Sequence, residues 1–144
     1  MMLRNIPKIL SPDLLWCLRA MGHGDEIVIA DANFPATALA HRTYRLDGIS
    51  ATDALAAILK LLPLDSFVPD PALVMQLVDD PTAVPPVVAA FQAIIDTTAD
   101  RPVAIQSLER FAFYDRAKTA FAILQTGEAR LYGNIILKKG VIGT

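Results

Sequence analysis

Apolar positions along the chain switch between a helical period and short unbroken runs, and proline or glycine stands at most of the switches. Ser11 followed by Pro12 reads as an N-cap with a first-turn proline. Leu14, Leu15 and Leu18 then recur at helical spacing until a glycine stop at Gly22, which delivers His23 just past the helix end. Glu26 to Ala30 is short, β-branched and apolar on both faces, the pattern of a central strand covered by helices, and Pro35 prevents its continuation. An alanine-rich turn or helix reaches His41, and Thr43-Tyr44-Arg45-Leu46 reads as a brief strand closed by Asp47-Gly48. Ser50, with Asp53 at the N3 position, opens a helix carried by Leu55, Ile58, Leu59 and Leu62 up to Pro63.

Residues 63–71 form a proline-punctuated loop, Ala72 to Val78 a strand, and Pro85 to about Thr98 a helix with two prolines at its start. The last third predicts a strand at Val103-Ala104-Ile105, a polar-faced helix from Leu108 to Lys118, and strands at Phe121–Leu124 and Ile135–Leu137 joined through Gly127. Strands alternating with helices imply an α/β class. The expected architecture is a three-layer α/β/α arrangement, its central sheet mostly parallel with an antiparallel element near the C-terminus. No internal repeat or composition shift divides the chain, so one domain over residues 1–144 is the economical reading.

Composition adds an expectation about assembly. Hydrophobic residues make up 53% of the chain and mean hydropathy is +0.41, high for a soluble monomer, so copies of the chain are expected to cover apolar surface on one another. The 13 basic and 15 acidic residues are intermixed and leave a net charge of only -2, which excludes an electrostatic footprint for nucleic acid or an anionic membrane. Met1 to Pro7 lacks the apolar core of a secretory signal, and the uncharged stretch from Pro81 to Ile95 is broken by prolines and shorter than a spanning helix. A cytoplasmic homo-oligomer is expected. The single cysteine, Cys17, falls among helix leucines and reads as core packing.

No glycine-rich phosphate cradle follows a strand, no cluster of histidine and cysteine has metal-ligand spacing, and no serine has the flanking glycines of a nucleophile elbow. His23, set between Gly22 and Gly24, is the candidate for proton transfer; its alternative is a donor to the last carbonyls of the preceding helix. His41 beside Arg42 reads as a surface or capping residue. Asp31 and Asn33 sit where the first strand opens into a loop and suit either ligand binding or an Asx turn. Arg110, Tyr132 and Asn134 are polar groups among apolar neighbours, although Arg110 could pair with Glu109 or Asp115, and Tyr132-Gly133-Asn134 could be a turn. An imidazole, a carboxylate, an amide, a guanidinium and a phenol together suit a polyhydroxylated, uncharged ligand and mild acid-base chemistry.

Three blocks in order, Gly22 to Pro35, Glu109 to Lys118, and Gly127-Glu128 leading through Tyr132-Gly133-Asn134 to Gly140, resemble the fucose mutarotase and ribose pyranase family over nearly the whole chain. Asp31-Ala32-Asn33-Phe34-Pro35, the block around Arg110, and Tyr132-Gly133-Asn134 resemble the fucose branch more than the ribose branch. The resemblance implies His23 as the proton donor, Asp31 and Arg110 as sugar-binding residues, and Tyr132, Gly133 and Asn134 as a further binding segment, with Tyr132 a second candidate for proton transfer. It also implies a decameric ring with sites at subunit contacts and no metal or organic cofactor. The expected activity is interconversion of the α and β anomers of L-fucopyranose by general acid/base ring opening and closure. A D-ribose pyranase or a non-catalytic sugar-binding module are its alternatives.

Overall fold

The computed structural model describes residues 3–143. Its elements run α1 (Pro12–Ala20), β1 (Glu26–Ala30), α2 (Ala36–Leu39), β2 (Thr43–Leu46), α3 (Ala51–Leu59), β3 (Ala72–Met75), α4 (Pro86–Thr98), β4 (Gln106–Leu108), α5 (Arg110–Thr119), β5 (Ala122–Thr126) and β6 (Ile135–Lys138). Local chemistry starts α1 and α3 where the pattern places them, whereas the helix expected from Leu108 starts at Arg110, because Leu108 closes β4 and the Glu109 side chain caps the helix. Ser11 Oγ accepts from the Leu14 N–H at 3.2 Å and Ser50 Oγ from the Asp53 N–H at 3.1 Å, each satisfying a donor that has no partner within its helix.

The six strands form one sheet in the order β2-β5-β1-β6-β3-β4. β1 and β2 both run parallel to β5, β3 runs parallel to β4, and β6 is antiparallel to β1 and β3. Five strands therefore point one way, and the single antiparallel strand lies in the middle, with Ile136 opposite Val28 and Leu73. All five residues of β1 are buried, as its unbroken apolar run requires. The even positions of β1 face one side, where Val28 and Ala30 pack with Phe34, Phe113 and Ala117 from the loop after β1 and from α5. Ile27 and Ile29 face the other side and meet Leu14, Leu55, Ile58 and Phe91 of α1, α3 and α4. These are the three layers.

Two strand expectations shift. The strand expected at Val103–Ile105 begins at Gln106 instead, because the Gln92 side chain of α4 takes the backbone groups that a neighbouring strand would use. Its Nε2 donates to the Val103 carbonyl at 2.9 Å and its Oε1 accepts from the Ile105 N–H at 2.9 Å. Val103 and Ile105 still pack on the core, which is why their alternation looks strand-like. The strand expected to reach Val78 ends at Met75, where β4, its outer partner, also ends at Leu108.

Because five strands share a direction, the C-terminal ends of β1, β3 and β4 reach the same rim of the sheet, and the start of antiparallel β6 joins them there. The opposite rim holds the Gly22-His23-Gly24 turn, the end of β6 and the loop before β3. No helix among the described residues is long and apolar enough to cross a membrane.

Candidate active site

At the C-terminal rim, a cavity of about 260 Å³ is lined by Asp31, Phe34, Arg110, Tyr114, Tyr132 and Asn134, with Met75, Val78, Leu131 and Asn33 completing its wall. The volume falls just below the roughly 300–1,000 Å³ of drug-sized sites and suits a small ligand. A wider cavity, about 600 Å³, opens at the opposite rim but is walled mainly by Leu15, Leu18, Leu61 and Leu62. Its lining holds no carboxylate, imidazole or thiol.

Asp31 anchors the polar cavity. It follows β1 directly and is 6% exposed, held by reciprocal bonds with Asn134: the Asp31 N–H donates to Asn134 Oδ1 at 2.7 Å, and Asn134 Nδ2 donates to Asp31 Oδ2 at 3.0 Å. The other carboxylate oxygen accepts from the Asn33 N–H at 2.9 Å, so the Asx turn and the cavity wall are the same structure. Gln125 of β5 donates to the Asp31 carbonyl. Burial raises the Asp31 carboxyl above its ordinary value, against the lowering effect of the Asn33, Asn134 and backbone donors.

Arg110 is the first residue of α5 and stands exposed at the mouth, its guanidinium 5.7 Å from the rings of both Phe111 and Tyr114. The pairings that sequence left open are taken elsewhere. The Glu109 carboxylate caps α5 through the N–H groups of Phe111 and Ala112 at 3.0 and 3.1 Å, and Asp115 lies 3.8 Å from Lys118. Arg110 thus has no carboxylate partner among the described residues. Tyr132 adopts φ +64°, a left-handed conformation that costs a non-glycine residue and clusters at functional sites. Its Oη accepts from the Val78 N–H at 3.4 Å. Gly133 follows it tightly, since a Cβ there would stand 2.7 Å from Glu128 Cγ and 3.0 Å from the Arg130 carbonyl.

His23 is not in this cavity. Within one chain it stands at the other end of β1, and the strand alone separates the two ends by roughly 13 Å. There its Nε2 lies 3.1 Å from Oδ1 of Asp65, a carboxylate almost wholly buried, while the imidazole side chain is 45% exposed and its ring centroid is 5.2 Å from that of Phe67. The end of β6 builds this arrangement: the Gly24 N–H donates to the Lys139 carbonyl at 2.8 Å and the Asp65 N–H to the Lys138 carbonyl at 3.0 Å. Burial alone would raise the Asp65 carboxyl, but the Phe67 N–H, the His23 hydrogen bond and the His23 and Lys138 charges outweigh it and hold it below its ordinary value. The capping role open to His23 falls to Lys139, whose Nζ donates to the carbonyls of Leu18 and Met21 at 2.8 and 2.5 Å. His41 is exposed. Cys17 is fully buried, and that burial pushes its thiol up to about 11.

Sequence reasoning passed over Asp65, Met75 and Tyr114. Asp65 sits in a proline-rich loop without periodicity, and only its place as an acidic residue between Leu64 and Ser66 sets it apart.

An open α/β sheet with a small polar cavity outside the carboxyl ends of its parallel strands is a ligand-binding α/β protein by construction. The RbsD / FucU transport protein family matches residues 4–142, and the chain belongs to that family. It is 48% identical to the fucose mutarotase of Mus musculus over 97% of this chain and 95% of that protein. Among solved structures, it is similar to the fucose mutarotase of Streptococcus pneumoniae in complex with L-fucose, with TM-score 0.91, 45% identity, and coverage of 98% of this chain and 100% of the other. FucU of Bifidobacterium longum superposes with TM-score 0.91 at 43% identity, covering 97% and 100% of the two chains.

Proposed function

We propose that this protein interconverts the α and β anomers of L-fucopyranose. The observation that carries the reading is the cavity itself: a carboxylate, an amide, a free guanidinium and a phenol converge beside aromatic and aliphatic surface. That set offers directional hydrogen bonds to several hydroxyls and an apolar wall for a sugar ring. The likeness to fucose mutarotases, one of them solved with L-fucose, supports the choice of sugar.

Ring opening needs two proton transfers. A base removes the anomeric hydroxyl proton, that oxygen becomes the aldehyde oxygen as the C1–O5 bond breaks, and an acid delivers a proton to O5. Rotation about C1–C2 presents the other carbonyl face, and the reverse transfers close the ring to the opposite anomer. Asp31, Asn134 and Arg110 hold hydroxyls and fix the anomeric carbon, Gly133 keeps the binding segment close, and Tyr132 supplies one proton-transfer group. His23 supplies the other. Since one chain separates His23 from the cavity by the length of β1, the site is completed by His23 of the partner subunit. The Asp65 carboxylate orients the imidazole by its bond to Nε2 and leaves Nδ1 to face the sugar. A ring-shaped homo-oligomer, a decamer, with sites at subunit contacts meets this requirement by a head-to-tail interface.

Saturation of one anomeric proton of L-fucose by NMR tests the activity. Transfer to the other anomer is expected to be faster with micromolar protein than in buffer, and faster for L-fucose than for D-ribose. His23→Ala should slow it by about 10²–10⁴-fold. Unaccelerated exchange would leave a sugar-binding module, and full exchange by His23→Ala would remove the assigned proton donor.

A further inference from the structure

We propose that Glu128 is the positioning residue that holds the Tyr132 phenol in its place at the cavity; the inference rests on the mutarotase reading for its catalytic consequence. Glu128 does not line the cavity. It is 4% exposed; besides the backbone of Ala51 at the start of α3, which also reaches its carboxylate, its contacts run to the two segments that do.

On the Asp31 side, the Glu128 carbonyl accepts from the Ala32 N–H at 2.8 Å. The Glu128 N–H donates to Thr126 Oγ1 at 3.2 Å, and that hydroxyl donates to the Ala30 carbonyl at 2.6 Å. On the Tyr132 side, one carboxylate oxygen accepts from the Arg130 N–H and Nε, both at 3.1 Å, and the other from Arg130 Nη2 at 2.8 Å. This carboxylate-guanidinium pair folds residues 128–130 into a tight turn, which Arg130 ties to Thr52 of α3 at 3.2 Å. The Gly133 backbone then lies against the Glu128 methylene carbon, where even a Cβ would not fit.

Tyr132 stands between these two braces. A tyrosine stays at φ +64° only when its surroundings over-determine it. Here the Arg130 turn fixes the chain before it and the Gly133 contact fixes the chain after it, and both are made by the Glu128 side chain. The Val78 N–H at 3.4 Å is a long bond and does not by itself select the conformation. At the other end of the loop Gly127 is tied to the turn after β2, its N–H donating to the Ile49 carbonyl at 2.8 Å, and it packs so closely on the Asp47 carbonyl that no Cβ would fit there.

The test uses the full-length protein labelled with ring-¹³C tyrosine, which gives three assignable residues, Tyr44, Tyr114 and Tyr132. In Glu128→Gln, of equal size but without the charge, the Tyr132 ring signal should move or broaden while those of Tyr44 and Tyr114 stay. Anomer exchange should fall by up to about 10²-fold in kcat, the scale of a small misplacement, with KM for L-fucose little changed. In a Tyr132→Phe background the same substitution should cost nothing further. An unmoved Tyr132 signal, or a loss as large with Phe at 132 as with Tyr, overturns the assignment. Arg130→Met, which cuts the pair from its exposed side, should reproduce the spectral change if Glu128→Gln does not fold, and an unchanged spectrum there overturns the assignment equally. If wild-type protein does not accelerate exchange, the mutarotase reading falls, and the tyrosine spectrum still decides whether Glu128 positions Tyr132.

Discussion

At the scale of single residues, buried carboxylates are set in opposite directions by their surroundings. Asp31 is raised mainly by burial, so folding favours its protonated form and its ionisation costs stability as pH rises. Asp65 and Glu128 are lowered, Glu128 foremost by its Arg130 partner. Their contribution is fully present above the ordinary values of 3.8 and 4.5 and is lost as pH falls through the lower folded values. Urea denaturation across the acid range should therefore show stability declining below about pH 4.5, with Asp65→Asn flattening the decline and lowering stability at neutral pH. An equally steep decline in the variant would count against the pairing. What could be read beforehand follows the same logic. Asp31, at the end of an apolar run, and Arg110, Tyr132 and Asn134, polar residues among apolar neighbours, all line the cavity at one sheet rim. Asp65 and Glu128 act through partners 42 and two residues away, and no local spacing announces the longer of those pairings.

At the scale of elements, helix starts and central strands are legible because local chemistry decides them. Ser11-Pro12 and Ser50 cap where the pattern says, and the unbroken apolar run of β1 sits at the sheet centre. β4 is displaced because Gln92, on the facing helix, replaces a strand with its side-chain amide, a substitution that depends on tertiary packing. Gln92→Leu should leave the Val103 carbonyl and Ile105 N–H unpaired and cost about 1–3 kcal/mol in urea denaturation. Anomer exchange should be unchanged, since Gln92 lies away from the cavity described by Asp31 and Tyr132. Unaltered stability would mean that water replaces the amide without cost. Nor does the chain order reveal that β6 inserts antiparallel between β1 and β3. That insertion brings Asn134 to Asp31 at one rim and Lys138-Lys139 to His23 and Asp65 at the other.

At the scale of the whole molecule, one strand direction accounts for both halves of the proposed site and for their separation. The binding groups gather at the carboxyl rim and the imidazole at the amino rim, and exposed apolar side chains flank both: Leu131 and Phe111 at the first, Phe67 beside His23 at the second. The hydropathy that pointed to self-association is thus displayed where a head-to-tail contact would cover it. Mixing two inactive variants tests this shared site most directly. His23→Ala and Asp31→Ala subunits, unfolded and refolded together, should regain about a quarter of the wild-type exchange between L-fucose anomers, because a site is intact when an Asp31-bearing cavity meets a neighbour that still carries His23. Refolded mixtures no more active than either variant alone would contradict a site built from two copies of the chain.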